Sequence, residues 1–265
     1  MSQKSLAMSV PAPIRKFSII IPAYNEAESL PATIDAILHE FASRPVELEI
    51  LVVNDNSSDH TENVMRELAS KYPQVRSLNN HPPHGFGHAV RRGLENFTGD
   101  AVVIVMADGS DLPHDILVYY HRLDEGAQCA FGSRFMPGAK IVDYPPLKLL
   151  LNRMANLFIQ TLFGLRYNDV TNAFKAYRRE VIEGCQPLLS HHFNLTVELP
   201  LKAIVRGFNY SITPTGWINR KTGESKLKIK EMGSRYLFIV LYVLLEKWLS
   251  KGDYQSKSTD CTESK

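Results

Sequence analysis

The sequence predicts an α/β protein with a Rossmann-like, mostly parallel sheet flanked by helices, followed by a C-terminal amphipathic or apolar helix. Three observations predict it. Short apolar runs rich in β-branched residues, such as Phe17-Ser18-Ile19-Ile20-Ile21 and Ala101 to Met106, are too short for helices and read as strands buried on both faces. Helical stretches alternate with these runs through the first half, as parallel strands joined by right-handed crossovers require. Three of the runs end in polar clusters, Tyr24/Asn25, Asp55 and Asp108/Asp111, and ligands of open α/β sheets bind beyond the carboxyl ends of strands.

Taken in order, the first strand stops at Pro22. Asn25 is placed as N-cap of a helix to about Phe41, with Glu26 and Glu28 in its first turn and Leu30, Ile34, Ile37, Leu38 and Phe41 as its apolar face. Leu48 to Val53 is the second strand, ending in Asn54-Asp55-Asn56 and followed by a helix to about Tyr72. A short strand over Val75 to Leu78, a loop with Gly85 and Gly87, and a helix from near His88 follow. The strand at Ala101 leads into a helix from about His114 and a strand over Gln128 to Gly132.

The second half differs. Gly132-Ser133-Arg134 closes a strand, and Arg134 is placed to pair with a phosphate or with a core carboxylate. A long apolar helix is predicted over Tyr144 to Phe163, interrupted by Lys148 and Arg153. Asn168 to Tyr177 leads into a strand, Arg178 begins another helix, and Leu195 to Val205 is helical despite Pro200. Tyr210 to Ile218 is the last predicted strand, followed by a polar flap from Asn219 to Lys226. The final helix runs from about Ile229 to Leu249. A bilayer span needs about 20 apolar residues, and Glu246 and Lys247 cut this one short. Its basic flank (Arg220, Lys221, Lys226, Lys228, Lys230, Arg235) and Trp248 fit a helix lying at the cytoplasmic membrane surface. Core packing or an oligomer interface is the alternative.

The 265 residues suffice for one sizeable core. A net charge of +2 does not suggest nucleic-acid binding, which calls for a larger basic excess. Three widely spaced cysteines, Cys129, Cys185 and Cys261, show neither zinc spacing nor a disulfide framework and point to a reducing compartment. The loop HPPHGFGHA lacks the third glycine of a dinucleotide fingerprint, and no Walker A pattern occurs. Asp108 and Asp111, across Gly109-Ser110, are placed to hold a hard cation that in turn holds a phosphate. The competing reading is an Asp-rich turn in which Asp111 or Asp115 caps the next helix.

IIIPAYNEAESL, ILVVNDNSSDHT, GFGHAVRRGL, FGSRF, TNAFKAYRREV and NRKTGESK, in that order, resemble the GT-A-fold inverting glycosyltransferases that include dolichyl-phosphate mannose synthase and bacterial polyprenyl-phosphate glycosyltransferases. The resemblance spans about Phe17 to Lys226. It implies that Pro22, Ala23, Tyr24, Asn25 and Glu26 line the nucleotide, with Asp55 at the base and Gly87, Ala107 and Asp108 also on the nucleotide side. It puts Arg134 at the phosphates, and Lys148, Thr171, Asn172, Lys175, Arg220, Ser225 and Lys226 around the acceptor phosphate. Two departures stand out. Asn54 replaces the first acid of the family's paired motif, and no single register puts acids at both positions of its Asp-Ala-Asp motif: one places Ala107 and Gly109 there, the other Asp108 and Ser110.

The implied reaction moves a hexose, mannose or glucose, from a GDP- or UDP-sugar to a polyprenyl or dolichyl phosphate, with Mg²⁺ or Mn²⁺ on Asp108 and Asp111 and further positive charge from Arg134 and Arg220. The expected organisation is a flexible leader (1–16), a glycosyltransferase domain (17–227), a membrane-proximal or oligomerisation helix (228–250) and a disordered tail (251–265), in a cytoplasmic, peripherally membrane-bound chain that could form a homo-oligomer. A non-lipid acceptor, or a non-catalytic nucleotide-sugar-binding role, are the rival readings.

Overall fold

The computed structural model describes residues 12–219 and 229–256. The elements follow in chain order as β1 (Lys16–Ala23), α1 (Leu30–Phe41), β2 (Glu47–Asn54), α2 (Thr61–Lys71), β3 (Val75–Asn79), α3 (Phe86–Asn96), β4 (Ala101–Ile104), α4 (Pro113–Asp124), β5 (Cys129–Ser133), β6 (Ile141–Val142), α5 (Pro146–Phe163), β7 (Lys175–Arg178), α6 (Arg179–Gly184), α7 (Leu195–Val205), β8 (Tyr210–Pro214), β9 (Trp217–Ile218) and α8 (Ile229–Leu249).

Seven strands form one sheet in the order β3-β2-β1-β4-β7-β5-β8. All pairings are parallel except those of β7, which runs antiparallel to both β4 and β5. Strand residues alternate between the two faces, as the two-residue period dictates. Ile20, Leu51, Val53 and Val102 join the core under α3, α7 and α8. Phe17, Ile19, Ile21, Ile50, Val52 and Val103 join the core under α1, α2 and α4. Burial on both faces explains why these strands read as mostly apolar runs.

Several boundaries differ from the sequence reading. Asn25 does not cap α1, which starts at Leu30 after Ser29. Instead Asn25 adopts φ 56°, and its Oδ1 accepts the Ser58 amide at 2.8 Å. The predicted strand Tyr210 to Ile218 is broken into β8 and β9 at Thr215-Gly216. The break is imposed by Asp115 on α4, whose Oδ2 accepts Thr215 Oγ1 at 2.8 Å and the Gly216 amide at 2.6 Å. β9 then pairs with β6, an element the sequence reading lacks, in a separate two-stranded sheet.

The last helix is part of the core. Ile239, Val240, Val243 and Leu244 are buried in the same cluster as α7 and the end of α5. Glu246 pairs with Arg206 (Oε1 to Nε, 2.7 Å), and Lys247 Nζ donates to the Phe163 carbonyl at 2.8 Å. Leu237, Phe238, Leu241, Leu245, Trp248 and Leu249 lie on the opposite, exposed face. Among the described residues no helix is long and apolar enough to cross a membrane. Of the leader, residues 12–15 lie against the fold: Ile14 is buried and Arg15 N–H donates to Asp100 at 2.8 Å. Residues 251–256 turn back so that the Ser256 amide reaches the Arg206 carbonyl at 2.8 Å.

Candidate active site

A cleft of about 990 Å³ opens beyond the carboxyl ends of β1, β2 and β4, and both α5 and α8 contribute to its walls. From the strand ends it is lined by Pro22, Ala23, Tyr24 and Glu26, by Asp55 and Asn56, and by Asp108, Ser110 and Asp111. The three polar clusters singled out in the sequence therefore meet in one place.

The turn after β4 is built around glycine. Gly109 sits at φ 69°, a conformation that disfavours side chains, and Asp108 Oδ1 accepts the Ser110 amide at 3.1 Å. Asp111 is buried, and its Oδ2 accepts the Met106 amide at 2.9 Å. Burial, aided by the neighbouring charge of Asp108 and opposed by the Met106 N–H, pushes the Asp111 carboxyl up to about 7. The capping alternative holds only in part: both acids accept backbone amides, Asp111 from Met106 and Asp115 from Gly216 at the Thr215-Gly216 corner, but neither caps α4, which has no side-chain cap bond.

Two carboxylates facing one cleft supply hard oxygen donors of the kind Mg²⁺ and Mn²⁺ prefer. They are a pair and not a closed cage, since no group of three or more potential His, Cys, Asp or Glu ligands occurs among the described residues. A cation held by Asp108 and Asp111 would relieve the unfavourable burial of Asp111. The donor set fits such an ion.

Arg134 lines the cleft and also has the core partner that the sequence left as an alternative. Its Nε and Nη2 donate to Asp169 at 2.8 and 2.7 Å, and its own amide adds a third bond at 2.9 Å. Asp55 organises the loop between β3 and α3: its carboxylate accepts Asn80 Nδ2 at 2.8 Å and the Gly85 amide at 2.9 Å. Lys148, Thr171 and Asn172 also line the cleft. Asn156 of α5 fixes Thr171 by bonding both its amide (3.2 Å) and its hydroxyl (2.9 Å).

Other expected residues lie elsewhere. Asn25, Gly87, Ala107 and Lys175 do not line the cleft. Gly87 lies under the His191–His192 backbone, which a Cβ would approach to 2.5 Å, so it serves helix-to-loop packing. Ala107 is buried and its carbonyl accepts Thr33 Oγ1 at 3.0 Å. Lys175 is buried, its ammonium donating to the carbonyls of Val170 (2.9 Å), Thr196 (3.1 Å) and Asn172, so it braces the loop before β7 from beneath. Arg220, Ser225 and Lys226 lie outside the described residues.

The cleft has residues the sequence reading did not include. Trp217, Asn152, His84, His192 and Phe193 are among its lining. Phe193 stacks on Phe86 at 4.2 Å and His191 on His88 at 4.5 Å, which docks the turn before α7 onto the start of α3. Leu151, Phe158 and Leu237 both line the cleft and are exposed to solvent, so the cleft is continuous with the outer apolar surface of α5 and α8. Only Trp217 carried a sequence signal, one of two tryptophans and placed just before the polar flap.

A mostly parallel sheet whose strand ends gather paired carboxylates and a buried arginine around one large cleft is the architecture of a GT-A glycosyltransferase. The chain belongs to glycosyl transferase family 2, which matches residues 18–185. It is 33% identical over 221 residues to the polyprenol monophosphomannose synthase of Mycolicibacterium smegmatis, covering 81% of this chain and 82% of that protein. It is 29% identical over 238 residues to the undecaprenyl-phosphate mannosyltransferase of Micrococcus luteus, covering 86% and 94%. Among solved structures it is similar to glucosyl-3-phosphoglycerate synthase from Mycobacterium tuberculosis in complex with Mn²⁺, UDP and glucosyl-3-phosphoglycerate. There the TM-score is 0.64 at 20% identity, over 88% of this chain and 80% of that one, a likeness of fold. The protein is a glycosyltransferase.

Proposed function

We propose that this glycosyltransferase moves a hexose, mannose or glucose, from a GDP- or UDP-sugar to a polyprenyl or dolichyl phosphate at the cytoplasmic membrane face. The observation that carries this reading is the continuity of the cleft, from Asp108, Asp111 and Arg134 to Leu151, Phe158 and Leu237, which are also exposed on the outer surface. A ligand with a phosphate at one end and a long apolar chain at the other fits that gradient. The named relatives act, by their names, on polyprenol or undecaprenyl phosphate.

In this reading an acceptor phosphate oxygen attacks the anomeric carbon in line as the bond to the diphosphate breaks, inverting the centre and releasing the nucleoside diphosphate. The acceptor is already ionised near neutral pH, so no strong general base is required. Asp55 and Tyr24 hold the nucleoside end, Lys148 and Thr171 the acceptor phosphate, and Arg134 offsets negative charge between them. Mg²⁺ or Mn²⁺ on Asp108 and Asp111 would neutralise charge on the departing diphosphate.

The test is transfer from GDP- and UDP-hexoses to undecaprenyl and dolichyl phosphates with Mn²⁺ or Mg²⁺, comparing the wild type with an Asp108→Asn/Asp111→Asn variant. Product with the wild type alone supports the reading. Equal product from both refutes the metal assignment. Product only with a water-soluble phosphorylated acceptor refutes the lipid acceptor, and none with any donor favours a binding protein.

A further inference from the structure

Tyr144 does not line the cleft, yet it touches four residues that do. Its hydroxyl oxygen accepts Arg134 Nη1 at 3.3 Å and the side-chain amide of Asn152. Its ring centroid lies 4.7 Å from that of Trp217, tilted by 54°. Lys148 Nζ lies 5.5 Å from the centre of the Tyr144 ring and 5.1 Å from that of Trp217, a distance at which the ring quadrupoles attract an ammonium. Trp217 is fixed in turn, because β9 hangs from the Asp108–Asp111 turn through the Ile218 amide and the Ser110 carbonyl (3.2 Å).

We propose that Tyr144 is a positioning residue that registers the acceptor-phosphate cation Lys148 against the donor-side cation Arg134. This rests on the acceptor reading above. The two cations come from separate elements, the end of β5 and the first turn of α5. Arg134 spends Nε and Nη2 on Asp169, so Tyr144 engages its remaining nitrogen. The hydroxyl and the ring do separable work. The hydroxyl orients Arg134 and Asn152, while the ring, with Trp217, makes the surface under Lys148.

The separation gives a test with a built-in reporter. Only two tryptophans occur in the chain, and Trp248 is exposed on α8, so Trp248→Phe leaves Trp217 as the sole indole. In that background, Trp217 emission is titrated with farnesyl phosphate and, as a control, inorganic phosphate. Saturable binding is expected, weakened about tenfold by Tyr144→Leu and by Lys148→Met and changed less than about twofold by Tyr144→Phe. In turnover assays Tyr144→Phe lowers kcat with little change in acceptor KM, and Tyr144→Leu also raises acceptor KM. A purely structural role would make the two variants alike in both readouts. No Trp217 response to farnesyl phosphate, or equal weakening by Phe and Leu, overturns the proposal. The predicted binding pattern without sugar transfer by the wild type upholds Tyr144 and refutes the transfer reading; transfer indifferent to Tyr144 does the reverse.

Discussion

Arg134 and Asp169 face each other in a two-pronged ion pair, Nη2 to Oδ1 at 2.7 Å and Nε to Oδ2 at 2.8 Å, with both side chains buried. The aspartate therefore aims the arginine into the cleft. Removing one partner of a buried pair leaves the other uncompensated, at a cost of about 3–5 kcal/mol. Asp169→Asn is expected to lower stability to denaturant by that order and to weaken nucleotide binding, although Asp169 itself does not line the cleft. The double variant Asp169→Asn/Arg134→Gln should lose less than the sum of the two singles. Additive losses in urea unfolding would show the pair to be uncoupled.

Asp111 is held where a carboxylate is least comfortable, buried and near Asp108. An asparagine keeps the shape without the buried charge. Asp111→Asn is expected to stabilise the metal-free protein by about 1 kcal/mol, some 2–4 °C in Tm for a chain of this size, while abolishing transfer. The check is thermal unfolding in chelator alongside the turnover assay. A variant no more stable than wild type in chelator would mean that Asp111 carries no unfavourable charge.

The strands and the strand-end clusters were legible because burial on both faces leaves mostly apolar runs, and the polar clusters that follow β1, β2 and β4 line the cleft. What could not be read was set by contacts distant in sequence. Nothing in Lys175-Ala176-Tyr177-Arg178 indicates that β7 runs antiparallel. Asp115 breaks β8 from β9 across a separation of 100 residues. Glu246 read as the end of an apolar run, whereas it completes a buried pair with Arg206. Tyr144 joins its partners only once β5, β9 and α5 converge. Lys175 matched a family motif in sequence, but its side chain turned inward.

Glu49 on β2 sets a prediction for pH. It is buried, and its carboxylate accepts Ser18 Oγ, the Thr98 amide and hydroxyl, and Arg76 Nη1. Burial alone would raise its carboxyl, but these hydrogen bonds outweigh it and hold the group below its ordinary value of 4.5. A depressed folded-state value contributes stability that is present above about pH 4.5 and is lost as pH falls through the folded value. Glu49→Gln should therefore cost about 1–3 kcal/mol at pH 7 and progressively less below pH 4.5. A penalty that stays constant from pH 7 to pH 3 would contradict this.

Lys175 gives a prediction for the loop that the proposed function places at the acceptor phosphate. Its ammonium ties Val170 and Asn172 to Thr196 at the start of α7. Lys175→Met fills the space but leaves three carbonyls without that donor, a loss of about 2–4 kcal/mol. Thr171 and Asn172 lie on the tethered loop, so acceptor KM should rise more than donor KM. Steady-state kinetics with each substrate varied in turn decide it, and equal changes in both constants would make Lys175 a general stabiliser only.

The exposed faces of α5 and α8 carry the last prediction. Leu147 is 66% exposed, Phe238 60% and Trp248 62%, and Leu150, Leu157 and Leu241 are exposed on the same two helices. Exposed apolar side chains on neighbouring helices beside a cleft suit insertion into the headgroup boundary of a bilayer. On this basis the protein should float with anionic phospholipid vesicles. Leu150→Glu/Phe238→Glu should abolish flotation while leaving the thermal transition within about 2 °C, because neither side chain is buried. Turnover on undecaprenyl phosphate in vesicles should fall with flotation, while nucleotide binding in solution stays unchanged. Self-association that disappears in the same variant, with no flotation by the wild type, would instead assign this face to a second copy of the chain.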